Sequence, residues 1–417
     1  MIRGENTDSI PIDLVNEILS RLPAKSIARF HCVSKLWSSM ILRPYFTDLF
    51  LTRSSARPPC LLFAVQLDVD GDEWCFFTSS QPQNPYDEES SSLVVTADRH
   101  MQFLGDNTWL ETCGYASGLI CFCRHRPDDK RTLIFNPSTG QYTSLPIPKK
   151  WIYLRSYLGF DPIEKQFKVL SIRDPNPNYD EKGFQYEILT LGTRNVLWRK
   201  IHCPLNHFPN RSSEGICING ILYYLGEYIF SDKAYERRYV LVCFDVRSEK
   251  FKFINRDFIY GGYHPELVNY KGKLGVFTLT YDYYPGTRRS VKLYLSILKN
   301  DEKPESEWSE YIYTFWENQF PKCNGYEFWE NPIIGVTATV EIEYTSVQVF
   351  VDYVEDLKFL TMKTTYNAAT SIAPPEQKRD EPKSTSSKAH QQQQDGRMFE
   401  SINKFDSLRL LDDDDFT

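Results

Sequence analysis

"LVCFDVRSEKFKFI", residues 241–254, is an apolar run, a polar turn opened by an aspartate, and a second, shorter apolar run. Asp245 can cap the turn with its side chain, and the rings of Phe251 and Phe253 return to a core soon after it. The stretch reads as two short strands joined by a polar turn. The pattern recurs as "LIFNPSTGQYTSLP" (133–146), "LGFDPIEKQFKVL" (158–170), "EILTLGTRNVLWRKI" (187–201) and "LSILKNDEKPESEWSEYI" (295–312). Asn-Pro, Asp-Pro and Ser-Thr-Gly supply the turn dihedrals in several of these copies.

A second repeat places a glycine at the opening of an apolar strand. It reads "SGLICF" at Gly118, "NGILYY" at Gly220 and "KGKLGVF" at Gly272. The steps are close to two units and one unit of about fifty residues, the length of one four-stranded propeller blade. Long helical patterns are absent from residues 60–363, and short apolar runs alternate with turn signals, so an all-β domain is expected there. About six blades fit, near 60–112, 113–150, 151–205, 215–258, 263–315 and 330–363, with the first and last able to share strands. A β-sandwich is the competing architecture, and the fifty-residue repeat counts against it.

Residues before 50 have another texture. In "IPIDLVNEILSRLPAKSIARFHCVSKLW" (10–37), Pro11 suits the first turn of a helix, and Leu14, Ile18 and Leu22 recur at helical spacing. Pro23 breaks that helix. A second helix is expected over Ala24–His31, and Ser34 can cap a third that carries Leu36, Trp37, Met40 and Ile41. Two or three short helices cannot bury this much apolar surface against one another. At the other end, "APPEQKRDEPKSTSSKAHQQQQDG" has little apolar content to bury, so residues 371–417 are expected to be a disordered or partly helical tail.

Composition narrows the functions. The net charge of −7, with no block of basic residues, gives nucleic-acid binding little electrostatic footing. No apolar run reaches the roughly eighteen residues of a membrane span, and the first residues lack the apolar core of a secretory signal. The ten cysteines are dispersed and mostly sit in apolar runs, so reduced, buried thiols are expected, as in the cytoplasm or nucleus.

Chemistry-bearing clusters are sparse. Cys121, Cys123 and His125 alternate along a strand but lack a second ligand pair, so buried structural thiols are the expected reading. Ser213, Glu214 and Cys217 in "SEGICING" lack a nucleophile elbow. No carboxylate pairs in sequence with His202 or His207. No catalytic residue, metal or cofactor is therefore expected. "TYDYYPGTRRS" (280–290) gathers Tyr281, Tyr283, Tyr284 and Arg288, residue types of a binding hot spot. It reads either as a substrate-binding loop or as a hairpin loop whose tyrosines cover the sheet rim.

The N-terminal stretch resembles an F-box. Its marks are the apolar-Pro start at Ile10 and Pro11, the Leu-Pro at Leu22 and Pro23, and Val33, Ser34, Lys35 and Trp37. The β region resembles the F-box associated interaction domain of the large plant F-box family, through "GYASGLICF", "IFNPSTGQYTSLP", "YLGFDPIEKQFKVL", "GICINGILYYLG", "VLVCFDVRSEKF" and "KGKLGV". Together the resemblances imply a mainly β chain: a three-helix F-box at 4–50, a β-propeller-like domain at 60–363, then the tail. They imply a substrate receptor of an SCF-type ubiquitin ligase, docked on a Skp-type adaptor and through it on a cullin-RING scaffold, with an unknown protein substrate. The adaptor-facing residues implied are Ile10, Pro11, Leu14, Ile18, Leu22, Pro23, Ile27 and Val33, with Trp37 fixing the third helix against the first two. The alternative is an F-box binding module for protein or glycan outside a ligase. A propeller enzyme would need a metal or carboxylate cluster in its channel.

Overall fold

The computed structural model describes residues 10–58, 60–67, 73–80, 98–104, 110–124, 132–145, 154–173, 183–193, 197–210, 213–229, 237–256, 265–282, 290–299, 307–316 and 344–360. Four helices come first: α1 (Ile12–Leu19), α2 (Ala24–His31), α3 (Lys35–Ile41) and α4 (Pro44–Ser55). α2 has the expected bounds, and the Ser34 hydroxyl accepts the Trp37 N–H at 3.2 Å as the cap of α3. The fourth helix is an addition to the three expected. Pro44 starts it where a proline suits the first turn, and Phe46 and Phe50 form its buried stripe. Arg53 of α4 donates to the Glu17 carboxylate of α1 at 2.6 Å, which ties the last helix to the first.

The strands follow in chain order. The first seven are β1 (Cys60–Leu67), β2 (Glu73–Ser80), β3 (Asp98–Leu104), β4 (Leu110–Ala116), β5 (Leu119–Arg124), β6 (Thr132–Asn136) and β7 (Gln141–Ser144). Next come β8 (Leu154–Asp161), β9 (Gln166–Arg173), β10 (Gln185–Thr190), β11 (Arg199–Ile201), β12 (Phe208–Pro209), β13 (Gly215–Ile218) and β14 (Ile221–Ile229). The last are β15 (Arg237–Asp245), β16 (Lys250–Ile254), β17 (Glu266–Tyr270), β18 (Lys273–Asp282), β19 (Ser290–Leu298), β20 (Trp308–Trp316) and β21 (Tyr344–Tyr353).

They form antiparallel four-stranded meanders: β4 to β7, β8 to β11, β13 to β16 and β17 to β20. A fifth has the order β21-β1-β2-β3, so the last strand pairs with the first. Of the roughly six units expected, the first and last thus share strands, as the sequence allowed. Among the described residues there are five four-stranded units, because the first and last candidates are one sheet. The architecture is mainly β and compatible with a propeller. A short parallel pairing of Gly215 and Ile216 with Gly114 and Tyr115 joins two of the units.

Both repeats have a conformational cause. Ser117-Gly118, Asn219-Gly220 and Lys271-Gly272 have positive φ at both positions, the requirement of a two-residue type I′ hairpin. The other repeat opens on an Asn or Asp whose side chain accepts turn N–H groups. Asn136 accepts from Ser138, Asp161 from Ile163, and Asp245 from Ser248, at 2.7–2.9 Å. Each of these turns closes on a left-handed residue: Gly140, Lys165 and Glu249 respectively.

These turns share one end of the β domain. Pro162 lies against Gly220, Asn219 donates to the Gly272 carbonyl at 3.1 Å, and Arg247 grips Asp161 at 3.0 Å. The helices sit at the same end. After β21 the chain continues as residues 354–360, packed between the two domains. Leu357 and Leu360 enter the helical core with Leu19, Ala24, Ile27, Met40, Ile41, Phe46 and Phe50. Phe359 instead packs among Cys113, Leu158 and Phe167 of the β domain. Pro23 precedes α2 and offers no side-chain acceptor. The Glu355 carboxylate takes the Ala24 N–H at 3.2 Å in its place, and also pairs with Arg57 at 2.9 Å. On the β side, Asn136 donates to the Asp356 carbonyl at 2.8 Å. A Cβ on Gly118 would lie 2.7 Å from the Val354 carbonyl, so only glycine permits this approach.

One cysteine pair departs from expectation. Cys113 and Cys123, on neighbouring strands beside the β-bulge of β4, are disulfide-bonded rather than reduced. Cys75, Cys121 and Cys243 are buried thiols outside any disulfide, as expected. The expected tail, 371–417, lies outside the described residues.

Candidate functional site

The helical domain has an outer face that none of the described residues covers. Ile10, Pro11, Ile12, Leu14, Ile18, Pro23, Val33 and Leu36 are all exposed. Leu14 and Ile18 stand one turn apart on α1, while its core side is formed by Val15 and Leu19. The helical spacing read in the sequence was thus real, but α1 shows that stripe to solvent.

Of the implied adaptor-facing residues, Ile10, Pro11, Leu14, Ile18, Pro23 and Val33 lie on exposed surface. Leu22 is half-buried against the helical core. Ile27 is fully buried between α2 and its neighbours and offers no surface to a partner, which corrects its assignment. Its place on the outside falls to residues the sequence reading did not choose, Ile12 and Leu36. Trp37 is half-buried and packs its ring 5.1 Å from Phe30 of α2, fixing α3 as expected.

A second surface lies at the end of the β domain away from the helices. The starts of β4, β8 and β13 meet there. Arg155, almost fully buried, donates to the Glu111 carboxylate at 2.6 Å and to the Ser213 carbonyl at 3.0 Å. The Thr112 hydroxyl donates to the Glu214 carboxylate. Burial raises Glu214 to about 7, against the pull of Thr112 and Arg155. Ser213 and Glu214 of the "SEGICING" motif therefore serve this buried junction. Among the described residues, no three His, Cys, Asp or Glu side chains are placed to hold a metal ion.

Off this junction lies a pocket of about 380 Å³, lined by Gly183, Phe184, Gln185, Tyr186, Ile201, His202, Cys203 and Asn206. Under it, His207 is hydrogen-bonded on both ring nitrogens: Nε2 to the Tyr224 hydroxyl at 2.9 Å, Nδ1 to the Leu205 carbonyl at 2.9 Å and the Tyr186 hydroxyl at 3.2 Å. Cys203 Sγ is 3.9 Å from Nδ1, which looks like a thiol–imidazole pair. The electrostatics run the wrong way for a nucleophile. Burial lowers His207 to about 4 and raises the Cys203 thiol to about 11, so both are neutral near pH 7. Sequence reading missed this cluster because its members come together only when the segment 203–210 folds under β10 and beside β14. Of the suggested substrate-binding residues, Tyr281 lies near the end of β18, opposite the Lys271-Gly272 turn; Tyr283, Tyr284 and Arg288 lie outside the described residues.

A small helical module with a bare apolar face, fastened to a multi-sheet β domain, defines a two-part interaction protein. Residues 8–49 match the F-box domain family, and residues 60–373 match the F-box associated beta propeller domain family. The chain belongs to the family of F-box proteins with an F-box associated domain. An Arabidopsis thaliana chain bearing the F-box protein name is 43% identical over 475 residues, covering 100% of this chain and 82% of its own. Another is 45% identical over 417 residues, covering 90% of this chain and 99% of its own. Solved structures align only loosely: a chain from a nidogen/laminin complex covers 60% of this one at 10% identity and a TM-score of 0.32.

Proposed function

We propose that this chain is the substrate receptor of an SCF-type ubiquitin ligase in the cytoplasm or nucleus. Its helical module docks on a Skp-type adaptor, and through it on a cullin-RING scaffold, while the β domain holds a protein target. The receptor performs no bond chemistry itself. The observation that carries this reading is the outer helical face, where Ile10, Leu14, Ile18, Val33 and Leu36 are exposed beside a core that is already closed. Large apolar side chains exposed together on one small folded module favour an interaction site. The neutral Cys203–His207 pair supports a binding role over a catalytic one.

Co-purification with a Skp-type adaptor tests the reading. Wild-type chain retains the adaptor, and Leu14→Glu combined with Ile18→Glu loses it while keeping its thermal midpoint. Wild-type protein that never retains an adaptor would falsify the proposal.

A further inference from the structure

The two ends of the β domain differ in what remains available. The hairpin-turn end is taken by the chain's own helices. Lys165 reaches Asp48 of α4 at 2.9 Å, Lys358 stands 5.0 Å over the Phe160 ring, and Val354 and Asp356 cover Gly118. The pocket between β10 and β11 opens at the other end, where β10 begins and β11 finishes. We infer that this far end is the target-binding end, and that the pocket takes an uncharged side chain bearing a ring or alkyl group, presented by an extended segment of the target. The inference rests on the receptor reading above.

Three features select that occupant. The walls are Phe184, Tyr186 and Ile201, and the polar residues lining the pocket are Gln185, His202, Cys203 and Asn206. Among the described residues no Lys, Arg, Asp or Glu lines it, so a charged group entering would lose its water without gaining a counter-ion from them. The floor is neutral as well, since His207 is held uncharged by burial. At about 380 Å³ the cavity is at the small end of ligand pockets, the scale of one side chain with room for water. Finally, among the described strands β11 is the outer one of its sheet, paired with β10 on one side. An extended peptide can add along such an edge and send alternate side chains inward, one of them beside Ile201. A free small molecule lacks the backbone to use that edge.

Two measurements on the full chain test this. In ligand-observed NMR, N-acetyl-tryptophanamide or N-acetyl-leucinamide shows saturable contact, and N-acetyl-lysinamide and N-acetyl-aspartamide do not. His202→Trp, at an exposed lining residue, fills the mouth and weakens the contact at least fivefold without loss of adaptor. Equal contact by charged amides, no contact by either neutral amide, or an unaffected His202→Trp variant overturns the pocket assignment. In the second measurement, a photoreactive benzoylphenylalanine is placed at position 202, at exposed Ile163 on the turn end, or at Leu14. Position 14 links to the adaptor, and position 202 links to a protein that position 163 does not reach and that excess N-acetyl-tryptophanamide or N-acetyl-leucinamide displaces. Links from 163 in place of 202, or none from 202, overturn the assignment of ends. Adaptor linkage at 14 reports separately on the receptor reading.

Discussion

Ile27 and Leu14 are apolar residues of the same small helical module, yet Ile27 is 0% exposed and Leu14 is 54% exposed. The inner face that holds Ile27 is closed by Leu357 and Leu360, supplied from the far end of the chain. The outer face that holds Leu14 is closed by none of the described residues. Full burial of one aliphatic side chain is worth about 1.5–3 kcal/mol, so several exposed together leave considerable binding energy unused. The module therefore has two apolar faces in different states: this chain seals one, and the described residues leave the other open.

The largest effect expected from breaking this comparison is on the inner face. Ile27→Ala removes buried methyl groups from a packed core and should cost about 2–5 kcal/mol. Leu14→Ala, on the outer face, should stay within about 0.5 kcal/mol. Chemical denaturation followed on a probe in the helical module measures both. Equal losses for the two would mean that the free chain has no distinct outer face.

Leu357→Ala sharpens the same point with an effect of about 2–4 kcal/mol. Leu357 is far from the helices in sequence, so the decisive reading is where the damage appears. Amide exchange should quicken over residues 24–31 and 46–54 while β14 and β15 keep their protection. Unchanged exchange in the helices would show that the inner face closes without residues 354–360.

This contact illustrates what local pattern can carry. The glycine-opened strands and the polar turns were legible because each rests on a short-range requirement: a glycine where φ is positive, or an Asn or Asp that can accept its own turn N–H groups. The bounds of α2 and the Ser34 cap were legible for the same reason. Leu357 and Leu360 gave no sign of their destination, because their partners lie about three hundred residues earlier. Ile27 and Leu14 sit in equally plausible apolar patterns, and the choice of which turns outward depends on where α4 and residues 354–360 pack. The sequence allowed the first and last units to share strands but did not require it, because that sheet is built from both ends of the domain. The neutral pocket was illegible for a similar reason: Tyr186, Cys203, His207 and Tyr224 share a cluster through folding and not through spacing.

A smaller effect comes from pH, with opposite signs in the two domains. Burial raises Asp356 to about 6, against the Lys358 N–H and charge that favour its ionised form, while nearby Asp48 raises it further. Its folded value exceeds its unfolded one, so the fold binds the proton more tightly. Ionisation therefore burdens the folded joint near pH 7, and the burden lifts as pH falls from about 7 towards 4. Asp356→Asn should remove a contribution of about 1–3 kcal/mol between those limits. His207, lowered to about 4, works the other way: its contribution is present above about 6.5 and is lost as pH falls towards 4. Thermal midpoints of wild type, Asp356→Asn and His207→Gln at pH 7.5 and 5 separate the two. A wild-type-minus-Asp356→Asn difference that does not move with pH would remove the titration from the joint.

The smallest effect is expected where the two domains touch through exposed charge. Lys165 and Asp48 are 2.9 Å apart, but their side chains are 49% and 45% exposed. Such a pair gains little, because water screens the attraction and two long side chains must be held in one geometry. Lys165→Ala should change stability by less than about 0.5 kcal/mol, and added salt should erase that change. Asn136→Ala, by contrast, removes the buried donor to the Asp356 carbonyl and should cost about 1–3 kcal/mol, largely independent of salt. If Lys165→Ala instead loosened the helices as much as Leu357→Ala does, the joint would be electrostatic. Buried apolar and hydrogen-bonded contacts are the sturdier basis for the attachment, because the groups that make them are already withdrawn from water and from salt.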